Sequence, residues 1–259
     1  MMPGRMAGRA ALVTGGGGGI GEATARLFAE EGASVALVDT DRAALETAAA
    51  GIAAAVPGAR VVSLVADLSH EDESRRAVDD AVARLGGLHT LVNVAGVRLY
   101  TPLADADAKG WEFILGVNVL ATAYCCAAAL LALRASGRGT IVNVSSVYGI
   151  MGRAGMGQYD TTKAAVLGLT RALAVEEASH GLRVNAVCPG GTITPYHVRR
   201  AASQGVSEAA LRSSRRNDNL LGRWAEPREV AFPILFLACD ESSYITGATL
   251  MVDAGKSIQ

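Results

Sequence analysis

The segment AALVTGGGGGIG (residues 10–21) passes from a short apolar run through five consecutive glycines into a helical pattern. Glycine between a strand and a helix lets the backbone approach a pyrophosphate at the positive end of the helix. Five glycines in a row satisfy several spacings at once, so it is their position that carries the reading. They follow the first strand and open the first helix, and the second strand, SVALV (34–38), leads straight into Asp39. That acid lies 18 residues beyond Gly21, where a carboxylate accepts hydrogen bonds from an adenosine ribose. Its other reading is a helix N-cap, although Asp41 can serve there. An acid at this position also repels the 2′-phosphate of NADP, and nothing basic occupies 16–18 or 40. NAD is therefore expected over NADP, with Arg42 working slightly the other way.

Outward from this unit the alternation continues. RVVSLV (60–65), HTLVN (89–93), TIVNV (140–144) and LRVNAV (182–187) read as buried strands, short, rich in valine and bounded by Gly, Asp or Asn. Helical patterns lie between them. ATARLFAEEG and ESRRAVDDAVARLG end at Gly32 and Gly86, in keeping with C-terminal glycine caps. Continuous apolar strands alternating with helices predict an α/β fold, a doubly wound parallel sheet of about seven strands with helices on both faces. No linker divides the chain, so it reads as one domain over 1–259. The stretch 195–222 departs from the rhythm: it is polar, and Arg199, Arg200, Arg212, Arg215 and Arg216 face few acids. A long irregular insertion of this kind reads as a substrate lid, or equally as a solvated helix pair with no ligand role.

Composition narrows the function classes. Of 259 residues half are hydrophobic, and the net charge of −1 gives no support to a nucleic-acid or membrane-surface role. Cysteines at 125, 126, 188 and 239 match no C-x-x-C spacing and read as reduced thiols in a cytosolic core. The amino terminus, MMPGRMAGRAALV, has no apolar run of signal-peptide length. The long Ala/Leu segments are broken by Arg, Glu or Gly, short of the roughly 20 apolar residues of a membrane span. A soluble, cytoplasmic protein is expected. His70, His89, His180 and His197 are scattered, so no metal site is expected.

In QYDTTKAAVLGLTRAL (158–173), Tyr159 and Lys163 stand four apart. On a helix both lie on one face, one turn apart. A fixed ammonium favours phenolate and lowers the tyrosine's pKa from about 10, which makes it a better proton donor and acceptor near working pH. Taken alone, the pair could also be an ordinary surface contact.

Thr14-Gly15-x-x-x-Gly19-Ile20-Gly21 together with Tyr159-x-x-x-Lys163 resembles the short-chain dehydrogenase/reductase family, in its compact single-domain branch, and the likeness covers nearly the whole chain. The resemblance implies a Rossmann-type sheet that binds the cofactor at Gly15, Gly18, Gly19, Ile20, Gly21 and Asp39. Asp67, with Leu68 beside it, matches the family aspartate at the adenine. Asn93-Val94-Ala95-Gly96 resembles the family's N-N-A-G and departs from it at Val94, with Asn93, Ala95 and Gly96 expected beside the cofactor. Asn118 matches the helix asparagine, and Ser146, thirteen residues before Tyr159, matches the catalytic serine, with Ser145 as the alternative. Pro189-Gly190, Thr192 and Thr194 resemble the segment that holds the nicotinamide carboxamide. Gly222-Arg223-Trp224 and Val252-Asp253-Ala254-Gly255 resemble the C-terminal blocks.

The implied chemistry is hydride transfer between the nicotinamide and a secondary alcohol or ketone. Tyr159 exchanges the hydroxyl proton and Ser146 hydrogen-bonds the same oxygen. Lys163 holds the nicotinamide ribose, and Asn118 orders a water that links Lys163 to solvent. A homotetramer or homodimer is implied, pairing the helices of Asn118 and Tyr159. Two alternatives stay open: an NADPH-dependent ketone or β-ketoacyl reductase, and a catalytically idle NAD-binding scaffold, although a scaffold would be expected to have lost a member of the Ser–Tyr–Lys set. Candidate substrate walls are Arg98, Leu99, Tyr100, Tyr148, Met151, Met156, Tyr196 and His197. Glycines at 149, 152, 155 and 157 suggest that the segment before Tyr159 adapts its shape. Arg98 and the lid arginines hint at an anionic substrate; a neutral alcohol, sugar or sterol is the alternative, with the arginines then solvated or against a neighbouring subunit.

Overall fold

The six valine-rich runs form strands, and a seventh joins them in a computed structural model that describes residues 4–215 and 218–259. The strands are β1 (Ala10–Thr14), β2 (Ser34–Asp39), β3 (Val61–Val65), β4 (Thr90–Asn93), β5 (Thr140–Val144), β6 (Arg183–Pro189) and β7 (Thr249–Val252). They lie in the order β3-β2-β1-β4-β5-β6-β7, each pair parallel. Every residue of β1, β4 and β5 is buried, which is why these strands read as continuous apolar runs without alternation. β7 (TLMV) is a short, partly exposed edge strand at the far end of the chain, and its three apolar residues went unread.

The helices are α1 (Gly19–Glu30), α2 (Arg42–Ala55), α3 (Glu71–Leu85), α4 (Ala108–Leu115), α5 (Ala121–Ala135), α6 (Gly157–Glu177), α7 (Pro195–Ser203), α8 (Glu208–Ser213) and α9 (Pro227–Ala238). Phe28 of α1, Leu45 of α2 and Leu235 of α9 cover one face of the sheet. Val78 of α3, Cys126 of α5 and Leu173 of α6 cover the other. Burying a side chain of this size stabilises the fold by about 1.5–3 kcal/mol. Asp41 caps α2 by accepting from the Ala44 N–H at 3.0 Å, and the glycine stop of α3 holds, Gly86 sitting at φ 81°.

The helix pair that the sequence allowed at 195–222 is present, and one expectation changes. The stretch 195–222 contains the helices α7 and α8, started by Pro195 in the first turn and by the Ser207 hydroxyl, which accepts from the Ala210 N–H at 3.2 Å. Arg216 of the expected basic lid lies outside the described residues, as do residues 1–3 of the amino terminus. The change is that α4 and α5 are joined by a π-helical turn, Gly116–Leu120, into a helical run from Ala108 to Ala135. That run is long and apolar enough, by length and composition, to cross a membrane, contrary to the sequence reading. In the fold it is a covering helix: Cys125, Cys126, Ala129 and Leu133 of α5 pack into the core.

The glycine turn is sterically fixed at Gly21. A Cβ there would stand 2.0 Å from the Gly15 carbonyl oxygen and 2.7 Å from its carbon, both backbone atoms that cannot swing away. Gly21→Ala is expected to lower stability by at least about 1–3 kcal/mol; an unchanged urea midpoint would contradict this packing.

Candidate active site

In a parallel sheet of this order the connections leave β1 and β4 in opposite directions, which opens a crevice beyond their carboxyl ends. Both turns expected at the cofactor lie there. Gly15 and Gly19 adopt φ of 65° and 56°, the left-handed region that glycine enters without steric cost. Gly18 is the N-cap of α1 and no side chain caps the helix. A Cβ on Gly18 would meet nothing nearer than Pro195 Cγ at 4.0 Å. An uncapped helix start with open space above it fits a pyrophosphate. Ile20 packs against the core instead, so its side chain supports the turn.

Asp39 leans over this turn. One carboxylate oxygen accepts from the Gly17 N–H at 3.0 Å and the other from the Asp41 N–H at 3.2 Å. Capping of α2 is left to Asp41, so Asp39 stands at the end of β2 as an acid beside the glycines. Asp67 is exposed after β3, and hydrogen bonds from the Ser69 hydroxyl and N–H hold its carboxyl below the ordinary range. The Leu68 side chain is buried in the core. On the β4 side the Thr14 hydroxyl accepts from the N–H groups of Val94 and Ala95 at 3.0 and 3.1 Å, tying the two turns together. The Asn93 side-chain amide donates to Asn143 Oδ1 and Cys126 Sγ inside the sheet, so a cofactor contact there would run through its main chain. Gly190, after Pro189, packs so closely on Asp253 that a Cβ would lie 2.8 Å from its Cα. Thr192 is buried, and Thr194 sits at the start of α7.

Around Tyr159 the sequence-predicted residues converge. Lys163, buried, donates from Nζ to the Val144 carbonyl at 3.0 Å and lies 5.8 Å from the centre of the Tyr159 ring. A Cβ on Gly96 would be 3.3 Å from that Nζ and 3.2 Å from Asn118 Oδ1, so the β4 turn closes over both. Asn118 sits in the π-helical turn, accepts from the Val97 N–H at 2.7 Å and donates to the Val97 carbonyl and to Thr162 Oγ1 at 3.0 and 2.9 Å. Ser145 is committed elsewhere, its hydroxyl donating to the Lys163 carbonyl at 2.7 Å. Ser146, whose hydroxyl accepts from the Tyr148 N–H at 3.2 Å, is the serine that helps to lower the pKa of the phenol. Burial alone would raise the pKa of Tyr159. Lys163, Arg98, the Ser146 contact and Arg153 outweigh it, and the phenol falls below its ordinary value. Burial in turn pulls Lys163 below its usual range, against the opposing pull of the phenol. A buried phenol poised by cations is a proton donor and acceptor.

Arginines crowd the substrate side. The Arg98 guanidinium lies 5.3 Å from the Tyr159 ring centre and its Nη1 is 2.9 Å from His197 Nε2. Guanidinium only donates, so Nε2 accepts and Nδ1 carries the proton, which faces Thr194 Oγ1 at 2.8 Å. Tyr196 packs edge-on against His197, and Arg153 stacks on Tyr148 at 3.7 Å. Met151 is partly buried nearby in sequence, whereas Met156 packs with Ile114 and Tyr159 as core rather than wall. The glycines ahead of Tyr159 are only partly what they promised. A Cβ on Gly149 would lie 2.7 Å from Ser145 Oγ and one on Gly157 2.4 Å from Leu103, so close packing, not adaptability, demands these two. Arg153, ion-paired to the buried Asp160 at 3.2 Å, and Thr162 went unnoticed in sequence; an acid directly after Tyr159 was the available signal.

The family described as enoyl-(acyl carrier protein) reductase matches residues 15–257. The chain is 40% identical over 248 residues to cis-4-hydroxycyclohexanecarboxylate dehydrogenase of Sinomonas cyclohexanicum, covering 95% of this chain and 96% of that one. It is 35% identical over 256 residues to 2-(S)-hydroxypropyl-CoM dehydrogenase 3 of Xanthobacter autotrophicus, covering 99% of each. A solved structure titled short chain dehydrogenase/reductase family protein superposes with a TM-score of 0.86 at 36% identity, covering 98% of this chain and all of that one.

Proposed function

We propose that this chain, which belongs to the short-chain dehydrogenase/reductase family, is an NAD-dependent dehydrogenase of an anionic secondary alcohol, with Tyr159 as its general acid and base. That it is an oxidoreductase using NAD(P) follows from the family. The observation that carries the rest is the buried phenol of Tyr159, lowered in pKa with Lys163, Arg98 and Ser146 around it. The bound nicotinamide supplies the hydride chemistry. In the oxidative direction Tyr159 takes the carbinol proton, and Ser146 hydrogen-bonds the same oxygen and stabilises its developing charge. Lys163 favours the phenolate and holds the nicotinamide ribose. Asn118, locked between Val97 and Thr162, fixes the π-helical turn beside Lys163.

The cofactor is NAD by the charge of Asp39, held over the glycine turn by the Gly17 N–H. Opposed like charges cost several kcal/mol. Asp39→Ala is expected to narrow the ratio of kcat/KM for NAD over NADP by at least about tenfold, and an unchanged ratio would remove Asp39 from the ribose site. The anionic substrate is suggested by Arg98 and by the carboxylate in one relative's name. We place the protein in the cytoplasm, on the strength of its four buried, unbridged cysteines. We propose a homotetramer or homodimer that pairs α5 and α6, on whose outer faces Leu131 and Val175 are 79% and 80% exposed.

The test is NADH formation from NAD with secondary alcohols, hydroxy acids and sterols. Turnover strongest with a hydroxy acid is expected. No turnover of any alcohol, with NADH binding intact, would favour a catalytically idle NAD-binding protein.

A further inference from the structure

We propose that Arg98, oriented by His197, is the receptor for a carboxylate on the substrate, and that the enzyme therefore selects compact hydroxy acids and their keto acids over neutral alcohols. This rests on the dehydrogenase reading and names the residues that would impose its substrate class.

The argument begins with charge pairing. Of the neighbouring arginines, Arg153 has Asp160 at 3.2 Å and Arg215 has Asp218, whereas Arg200, stacked on Tyr100 at 3.8 Å, has no carboxylate within ion-pair distance among the described residues. Arg98 is partly buried, and among the described residues no carboxylate lies within ion-pair distance of it. A cation withdrawn from water without an anion is costly, and an anionic ligand would relieve that cost. Arg98 is also rigidly presented. His197 Nε2 takes one of its five donors, while Nδ1 is anchored on Thr194.

The choice of partner matters. An aspartate in place of His197 would neutralise the guanidinium; a neutral imidazole aims it and leaves its charge whole. His197 is held neutral, its pKa pushed down to about 3 by burial and by Arg98, Arg215 and Arg200. The other groups packed on this pair are uncharged or cationic: Tyr100 under Arg200 at 3.8 Å, Tyr196, and Trp224 under Arg215 at 4.2 Å. With Arg215 neutralised by Asp218 and Arg153 by Asp160, Arg98 and Arg200 are the uncompensated charges here, and the remaining Arg98 donors can take a carboxylate in the two-pronged geometry that guanidinium favours. The guanidinium stands over the ring whose hydroxyl exchanges the carbinol proton. Carboxylate and carbinol of one bound molecule are then only a few bonds apart, which defines a compact hydroxy acid.

Arg98 also lowers the phenol's pKa, so turnover would confuse two effects, and the test reads binding of ligands that cannot react. Calorimetry on the NADH-loaded protein compares cyclohexanecarboxylate with its neutral isostere cyclohexanecarboxamide. The carboxylate is expected to bind at least about tenfold tighter to wild type, and Arg98→Gln to erase that preference. Arg98→Lys keeps the charge but loses the fork and should retain part of it. His197→Leu should lose most of the preference, and His197→Gln, whose amide oxygen still accepts, should restore it. NADH affinity is expected to stay within a few-fold throughout. Equal or undetectable binding of the two ligands to wild type would overturn the proposal. So would a preference that survives Arg98→Gln, or an Arg98→Gln variant that loses NADH affinity while keeping the preference, since the arginine would then serve the cofactor. Neither ligand carries a carbinol, so failure here is distinct from failure of the alcohol assay.

Discussion

Tyr159→Phe is expected to lower kcat by about 10²–10⁴-fold, the contribution of a positioned proton donor and acceptor, while NADH binds with near-wild-type affinity. The substitution removes one oxygen and keeps the ring, which packs with Ile114 and Met156. Stability should therefore change little, and a loss of activity cannot be put down to a damaged core. With no phenol, the carbinol loses the group placed to take its proton. Ser146 is a poor substitute, because an alkyl hydroxyl, even one that accepts from the Tyr148 N–H at 3.2 Å, is far too weak a base to take the carbinol proton near neutral pH. Fluorescence titration with NADH alongside the rate measurement separates chemistry from binding. A variant that retained even a third of wild-type kcat would sink the assignment of Tyr159.

Much of this was legible in the sequence, and the reasons differ from residue to residue. β1 to β6 showed themselves because a doubly covered parallel sheet demands short apolar runs; β7 did not, because it has only three apolar residues, LMV, and no β-branched run like that of the other edge strand, β3. Tyr159 and Lys163 were visible because helical geometry acts locally. So was Asp41 as the cap that frees Asp39. The π-helical turn at Asn118 has no composition of its own, since it is one extra residue accommodated in an otherwise ordinary helix. The two helices of 195–222 were legible only as one of two alternatives, although Pro195 and Ser207 are sound start signals that fix where they begin. The coupling of Arg98 to His197 spans 99 residues, and only the crossover of the sheet brings them together. Asn93 is a case where the pattern gave the place but not the partners: its side chain steadies the sheet through Asn143 and Cys126, contacts that only the neighbouring strand and helix supply.

Lys163→Met tests the electrostatic half of the mechanism by its pH dependence. Oxidation needs phenolate, so its rate rises with pH through the phenol's pKa. Lys163, Arg98 and Arg153 hold that pKa below the ordinary 10.0 despite burial, and the rise in wild type should fall correspondingly early. Without the ammonium the phenol's pKa climbs. Oxidation at neutral pH is expected to drop by at least about 10²-fold, with part of the loss recovered as pH rises. Reduction needs the protonated phenol, so its rate falls above the same pKa, and in the variant that fall should also move to higher pH. Both midpoints move the same way, which a merely disturbed fold does not produce: disorder lowers the two rates and leaves their midpoints in place. The variant also strands the Val144 carbonyl, which loses the Lys163 N–H donor, at a cost of about 1–3 kcal/mol; urea unfolding would register that loss. A reduced rate with unmoved midpoints in both directions would leave Lys163 as a holder of the ribose alone, with the phenol tuned by Arg98 and Arg153.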